Sequence, residues 1–305
     1  MFTSKRTILK VDMKTDVGNS REVNEDCFDF RIPQNEFELR TKGQLFAVAD
    51  GMGGHAAGDV ASRLALETFI DCYYSDSMSE TVEANLENAA CAANGRVSEE
   101  ARRNPEKKDM GSTLTSAVFL GDTMHVAHVG DSRAYLLRDG RLTQITRDHS
   151  WVGELYRRGA LTEDEARNHP MGNIITRYMG RDGKFDADIY KERITPHDLV
   201  LLCSDGLSNA LNAGQIRKIL LRHGPSRACA RLIALAKRLD GSDNISAIVI
   251  RVKRVEGESF PFWKTFRHVV GSRRFQIILL MCAVGMGFLL LAARNLRDIV
   301  ARIPW

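Results

Sequence analysis

Five aspartates in this 305-residue chain stand directly before a glycine, and two of them close strongly apolar runs. Asp50 follows LFAVA and Asp205 follows LVLLCS, so each carboxylate is delivered to the rim of a sheet. Asp131, after an apolar run over 125–129, and Asp243, before one over 245–252, mark two further strand ends. The acid pair Glu25 and Asp26 follows a stretch over 16–24 rich in Gly, Asn and Ser. Carboxylates gathered in this way repel one another unless cations sit between them. Hard oxygen donors without Cys or His partners favour Mg²⁺ or Mn²⁺ over zinc. The other three pairs, at Asp139, Asp182 and Asp240, have the look of ordinary turns, the first a hairpin.

The elements that must hold these acids are legible in outline. Gly51, Gly53, Gly54 and Gly58 follow Asp50, leaving the backbone free to adopt left-handed angles and to approach something small. A helix is expected from Asp59, its N-cap, with Val60, Ala61, Leu64, Ala65, Thr68 and Cys72 on one stripe. An alanine-rich helix follows over 79–103, with Val82, Leu86, Ala89, Ala90 and Ala93 on one face. Short strands over 112–120, 123–129, 134–138 and 142–146 form an antiparallel meander. Residues 150–183 turn polar and helical, with a Thr162-x-x-Glu165 capping box, a Pro170 stop and no apolar strand, as in an inserted subdomain. Strands resume over 186–193 and 199–203, helices are expected over 213–221 and 226–238, and a last strand runs over 245–252. The fold class is therefore α+β: a central antiparallel β-sandwich with helices outside.

Composition excludes several functions. The chain carries a net charge of +4, but residues 253–305 hold nine Lys/Arg against three acids, which leaves 1–252 at −2. A slightly acidic domain does not suit nucleic acid, and a two-metal nuclease would want a basic face. His125 and His128, three apart on a strand, point to opposite faces and make no zinc pair; no Walker loop or H-E-x-x-H occurs. Six cysteines without C-x-x-C spacing suggest buried free thiols in a reducing compartment. The N-terminus lacks the apolar stretch of a signal peptide, which keeps the domain in the cytosol. Residues 275–293 are nineteen uncharged residues with one polar side chain, Gln276. At about 1.5 Å per residue they cross most of a ~30 Å hydrocarbon core.

The ordered set Arg21-x-x-Asn24-Glu25-Asp26, Asp50-Gly51-Met52-Gly53-Gly54, Gly111-Ser112-Thr113, Gly130-Asp131-Ser132-Arg133, Ser204-Asp205-Gly206 and Asp243-Asn244-x-Ser246 resembles the bacterial metal-dependent protein serine/threonine phosphatases of type 2C. The likeness runs over roughly residues 8 to 252 with every motif in order. It implies that Asp50 bridges two Mn²⁺ or Mg²⁺ ions, that the Gly51 carbonyl binds one, and that Asp205 and Asp243 bind the other. It further implies that Asp131 with Asp205 holds a weaker third ion, that Glu25 and Asp26 orient water on the metals, and that Arg21 grips the substrate phosphate. One departure concerns Met52, which stands where eukaryotic members carry a histidine proposed as the acid for the leaving alcohol. His55 or a metal-held water is left for that role.

The resemblance implies hydrolysis of phosphoserine and phosphothreonine on proteins, reversing a serine/threonine kinase. The rival is a catalytically weak phosphoprotein-binding regulator of the same fold, which a missing metal ligand would betray; none is missing. The expected layout is a catalytic domain over 1–255 with its flap at about 150–185, a basic juxtamembrane linker over 256–274, a single-pass transmembrane helix over 275–293 and a short tail over 294–305. The protein is then a monomer anchored in the bacterial cytoplasmic membrane with its catalytic domain in the cytosol. Its partners are phosphorylated proteins, a serine/threonine kinase among them, and no nucleic acid.

Overall fold

The computed structural model describes residues 5–256 apart from 54–56, 76–80, 163–164, 167–168, 173 and 184. The transmembrane helix expected over 275–293, its basic linker and the tail lie outside the described residues. Among those described, no helix is long and apolar enough to cross a membrane.

Two sheets face each other. The first runs β1 (Arg6–Asp16), β11 (Ile245–Glu256), β10 (Leu199–Cys203), β7 (Arg133–Arg138), β8 (Arg141–Gln144). The second runs β2 (Asp26–Arg31), β3 (Gln44–Met52), β5 (Leu114–Leu120), β6 (Thr123–Val129), β9 (Asp188–Arg193), with β4 (Gly111–Ser112) paired to the far end of β3. Every ladder between them is antiparallel.

The central strands are apolar on both faces because both faces are covered. Along β3, Phe46 and Val48 enter the core between the sheets, where they meet Leu202 of β10 and Ile248 of β11. A short helix, α1 (Glu36–Thr41), joins β2 to β3, and Leu45, Ala47 and Ala49 point the other way, onto α2 (Gly58–Tyr74) and α3 (Val82–Arg103). Leu201, Cys203 and Val249 likewise pack beneath α6 (Ala213–Arg222) and α7 (Pro225–Leu239). Asp50 continues the row of Phe46 and Val48, so it arrives where that inner face runs out. At the hairpin joining β7 to β8, Asp139 (φ 49°) and Gly140 (φ 79°) both take the left-handed angles that a tight antiparallel turn needs.

Several expectations need correction. β3 does not stop at Asp50 but runs two residues further, because Gly51 and Met52 pair with Ser112 and Gly111. The buried stripe of α2 is Ala61, Ser62, Ala65, Leu66, Phe69, Ile70 and Tyr73; Val60, Leu64 and Cys72 lie at its margin. The large rings of Phe69, Tyr73 and Tyr74 turn the helix toward themselves, since they bury more area than the smaller residues one position away. Asp59 is not the cap: Ala57 holds that place, and Asp59 accepts the Val60 N–H inside the first turn. Asp205, expected at a bare strand end, opens a short helix, α5 (Asp205–Ala210). Cys91 is exposed, although the five described cysteines are all free thiols. Within the inserted segment lies α4 (Trp151–Arg157); an isolated bridge from Ser150 to Ile175 closes the segment on itself, and another from Ser112 to Met179 stitches its later part to the sandwich.

Candidate metal centre

At one end of the sandwich the strand ends of both sheets bring the acids together. Asp26 and Asp50 are direct cross-strand partners on β2 and β3. The backbone of Asp50 is pinned by the Gly-Ser-Thr segment: its N–H donates to Thr113 Oγ1 at 2.9 Å, and its carbonyl accepts from Thr113 N at 2.9 Å and Ser112 Oγ at 3.1 Å. Asp131 follows β6, Asp205 opens α5, and Asp243 immediately precedes β11 through Asn244. A cleft of about 270 Å³ is lined by Asp50, Asp131, Asp205 and Asp243 together with Glu25, Gly51 and Arg21.

The site is electrostatically strained. Asp50 is held well above the usual carboxylate range by desolvation and by the charges of Asp26, Asp205 and Asp131. Asp131 rises for the same reasons, with Asp205 its strongest neighbour, and Asp205 rises by desolvation and the charge of Asp243. Asp26, only 7% exposed, is pushed up to about 7 by burial and by Asp205 and Asp243, although Ser204 donates to its Oδ2 at 2.6 Å. Glu25 is raised by burial against the opposing pull of the Gly58 N–H, which donates to Oε1 at 3.2 Å. One buried oxygen each of Asp26, Asp131 and Asp205 has no hydrogen-bond partner. Buried carboxylate oxygens left bare in this way are costly unless something positive meets them.

Gly51 lacks a side chain because there is no room for one: a Cβ would collide with the Gly58 carbonyl oxygen and come within 2.8 Å of the Glu25 carbonyl oxygen. Close approach, not a left-handed angle, explains Gly51 and Gly58; of the glycines expected to take such angles, only Gly53 (φ 155°) has a positive φ among those described. Arg21 is 47% exposed and donates to Asp243 Oδ2 at 3.0 Å, with Glu25 Oε2 at 3.8 Å. Asn244 ties this loop down, accepting the Glu25 N–H at 2.8 Å and donating to the carbonyls of Val17 and Val23.

Residues 20–234 match the family described as Protein phosphatase 2C. The chain belongs to that family. Serine/threonine phosphatase stp of Listeria innocua is 34% identical to it over 246 residues, covering 79% of this chain and 95% of that protein. Serine/threonine protein phosphatase PstP of Mycobacterium tuberculosis is 33% identical over 298 residues, covering 97% of this chain. The match covers 54% of PstP, so the chain spans about half the length of that relative. A crystal structure of the PstP catalytic domain in complex with two manganese ions superposes with a TM-score of 0.70 at 34% identity, covering 81% of this chain and 99% of the other. Stp1 from Staphylococcus aureus superposes with a TM-score of 0.74 at 33% identity, over 82% of this chain and 97% of the other.

In this type 2C chain the donor set fits divalent cations. The acids are all hard oxygens, three of their oxygens are bare, and their mutual repulsion is what a cation would relieve. They are not drawn into a finished shell: among the described residues no three acids, histidines or cysteines already stand in ligating geometry. Arg21 instead occupies Asp243, donating to its Oδ2. His125 and His128 do point apart, His125 toward Glu83 at 3.4 Å and His128 toward His149, the two rings 4.7 Å apart and tilted by 40°.

Two lining residues escaped the sequence reading. Ile175 and Tyr178 form the apolar side of the cleft, brought there when Met179 pairs with Ser112. The Tyr178 ring lies where a Cβ on Gly111 would stand, 2.7 Å away. Only that last contact left a trace in the sequence, as a glycine ahead of Ser112-Thr113.

Proposed function

We propose that this chain is a metal-dependent protein phosphatase that hydrolyses phosphoserine and phosphothreonine on proteins. The observation that carries the reading is the cluster of carboxylates with raised pKa and bare oxygens, set beside an exposed arginine on one continuous cleft. Asp50, the Gly51 carbonyl, Asp205 and Asp243 would hold two cations, and Asp131 with Asp205 a weaker third. The two manganese ions of the PstP catalytic domain support Mn²⁺ as one of the metals this set accepts. When bound, such ions lower the pKa of a coordinated water and neutralise charge on the phosphoryl oxygens.

The chain's own groups do the rest. Arg21 presents a planar, permanently charged fork to two phosphate oxygens, and its bond to Asp243 keeps it at the edge of the cleft until then. Glu25, fixed by the Gly58 N–H, and Asp26, fixed by Ser204, aim acceptor oxygens that orient water for in-line attack. Ile175 and Tyr178 close one side of the cleft against bulk solvent.

Phosphate release from a phosphothreonine peptide by the full chain tests this: Mn²⁺ should support turnover and EDTA abolish it. Phosphopeptide binding without turnover in Mn²⁺ or Mg²⁺ would favour the regulator reading.

The anchor is part of the same proposal. The uncharged run over 275–293, with Arg273-Arg274 before it and Arg294 after it, supports a single membrane span that keeps the catalytic domain in the cytosol. There it would meet phosphorylated proteins, including a membrane-bound serine/threonine kinase, at raised effective concentration. Sedimentation with membranes until detergent is added is the expected result; a full chain that stays in the supernatant would overturn the anchor.

A further inference from the structure

We infer that a second groove, beside the acid cluster, binds the polypeptide flanking the phosphoresidue and that Arg147 receives an anionic side chain of that polypeptide. The inference rests on the phosphatase reading and adds to it the kind of protein sequence the site selects.

The groove has a volume of about 550 Å³ and opens directly on the catalytic cleft, because Asp131, Asp205 and Asp243 line both. A phosphoresidue seated at the acids must lead its chain out through such a space, and the volume suits several side chains. The groove is also firmly built. Ser150 caps α4 by accepting the Gly153 N–H and bridges to Ile175. On the floor, Arg133 donates three hydrogen bonds to Asp148, at 3.0, 3.0 and 2.6 Å, and one to the Tyr135 hydroxyl at 3.1 Å.

Three arginines line the groove, and two of them are already satisfied. Arg133 is neutralised by Asp148, and Arg157 donates to the Asp148 carbonyl at 2.7 Å and pairs with Glu154. Arg147 differs. Its backbone is fixed, the N–H donating to Tyr190 Oη at 3.2 Å and the carbonyl meeting His128 Nε2 at 3.0 Å. Its residue is exposed, and among the described residues its guanidinium has no ion-pair or hydrogen-bond partner. Asp240, on the same lining, accepts only the Ser242 N–H from its own turn, so it carries a charge of the opposite sign without an ion pair.

Apolar surface marks the same region. Of ten exposed large hydrophobic residues among those described, four fall within residues 151–174: Trp151 (38%), Tyr156 (48%), Met171 (44%) and Ile174 (43%). Tyr156 lines the groove itself. Exposed apolar residues so concentrated beside a polar cleft are the mark of a surface that receives polypeptide. The anion that reaches Arg147 is either a carboxylate or a second phosphate, and a guanidinium suits both.

The test uses the full chain in Mn²⁺ with decapeptides bearing one central phosphothreonine. At each flanking position in turn the peptide carries Glu, a non-hydrolysable phosphonate analogue of phosphoserine (called phosphoserine below), Ala or Lys, and kcat/KM for the phosphothreonine is measured. Glu or phosphoserine should exceed Ala by about 5-fold at one or two positions on one side of the phosphothreonine, mainly through KM. A response to phosphoserine alone identifies a phosphate subsite; a response to both identifies a general anion subsite. Arg147→Ala should bring the Glu-to-Ala and phosphoserine-to-Ala ratios close to one, and Arg147→Glu should shift the preference toward Lys. Ratios near one in the wild type at every position, or unchanged in Arg147→Ala, would overturn the subsite while leaving the phosphatase reading intact. Inactivity on every peptide would overturn both.

Discussion

Removing the charge of Asp26 should stabilise the metal-free protein at alkaline pH, although it harms function. An acid whose pKa is raised on folding holds its proton more tightly in the folded state than in the unfolded one. Its stability cost is absent below the unfolded pKa, accrues as pH climbs toward the folded pKa, and is fully present above it. For Asp26 that window runs from 3.8 to about 7. The span from 3.8 to about 7 at 1.36 kcal/mol per pH unit gives an upper figure of about 4 kcal/mol, reduced by relaxation of Asp205 and Asp243 to about 2–4 kcal/mol. In a domain of this size that corresponds to a rise in Tm of ~4–16 °C for Asp26→Asn in EDTA at pH 8. At pH 5 only about a third of the window has been crossed, so the gain should shrink in proportion. The amide oxygen of Asn can still accept from Ser204, so the hydrogen bond is not lost with the charge. Excess Mn²⁺ should narrow the difference, since bound cations offset in the wild type the same repulsion that the substitution removes, and binding adds about 2.7 kcal/mol at a hundredfold excess over Kd. Thermal unfolding in EDTA and in Mn²⁺, at pH 5 and pH 8, reads all four conditions. A lower Tm for Asp26→Asn in EDTA at pH 8, or a gain no larger than at pH 5, would refute the electrostatic account of the cluster.

Other substitutions separate the roles. Arg21→Ala should mainly raise KM for phosphate esters, because a guanidinium grips ground state and transition state alike; steady-state kinetics showing a fall in kcat at unchanged KM would contradict that. Asp131→Ala should lose turnover while calorimetry still detects two bound metals, and loss of all metal binding would move Asp131 into the core site. Gly51→Ala should lower Mn²⁺ affinity, since its Cβ must displace the Gly58 carbonyl and thereby Glu25; a titration with unaltered affinity would show that this close packing is irrelevant to the site.

Much of this was legible in the sequence where local pattern and tertiary demand coincide. Asp50 and Asp205 stand out because each ends an apolar run, and those runs are apolar throughout because both faces of each sheet are covered. The Asp139-Gly140 hairpin was legible for a different reason, namely that its left-handed angles suit few other residue pairs. What escaped depends on distant neighbours. The helical start at Asp205 is masked by Gly206, which makes the pair resemble a turn. The rotation of α2 toward Phe69 and Tyr73 is decided by which rings the sheet accommodates. Ile175 and Tyr178 reach the cleft only through a bridge to β4, a pairing without local signature. Arg21 bonding to Asp243 links residues 222 apart and follows from charge once the fold has brought them together.

The central claim is that the carboxylates at the end of the sandwich form a site for divalent cations. Calorimetric titration of chelator-stripped protein with Mn²⁺ at pH 6.5, repeated in two buffers of different ionisation enthalpy, counts the ions bound and the protons they displace. At least two ions should bind with net proton release, because burial and the neighbouring carboxylates hold Asp50, Asp131 and Asp205 above their usual pKa. In Asp50→Asn both the stoichiometry and the proton release should fall. Absence of Mn²⁺ binding at millimolar concentration, or binding that releases no protons and is indifferent to Asp50→Asn, would contradict it.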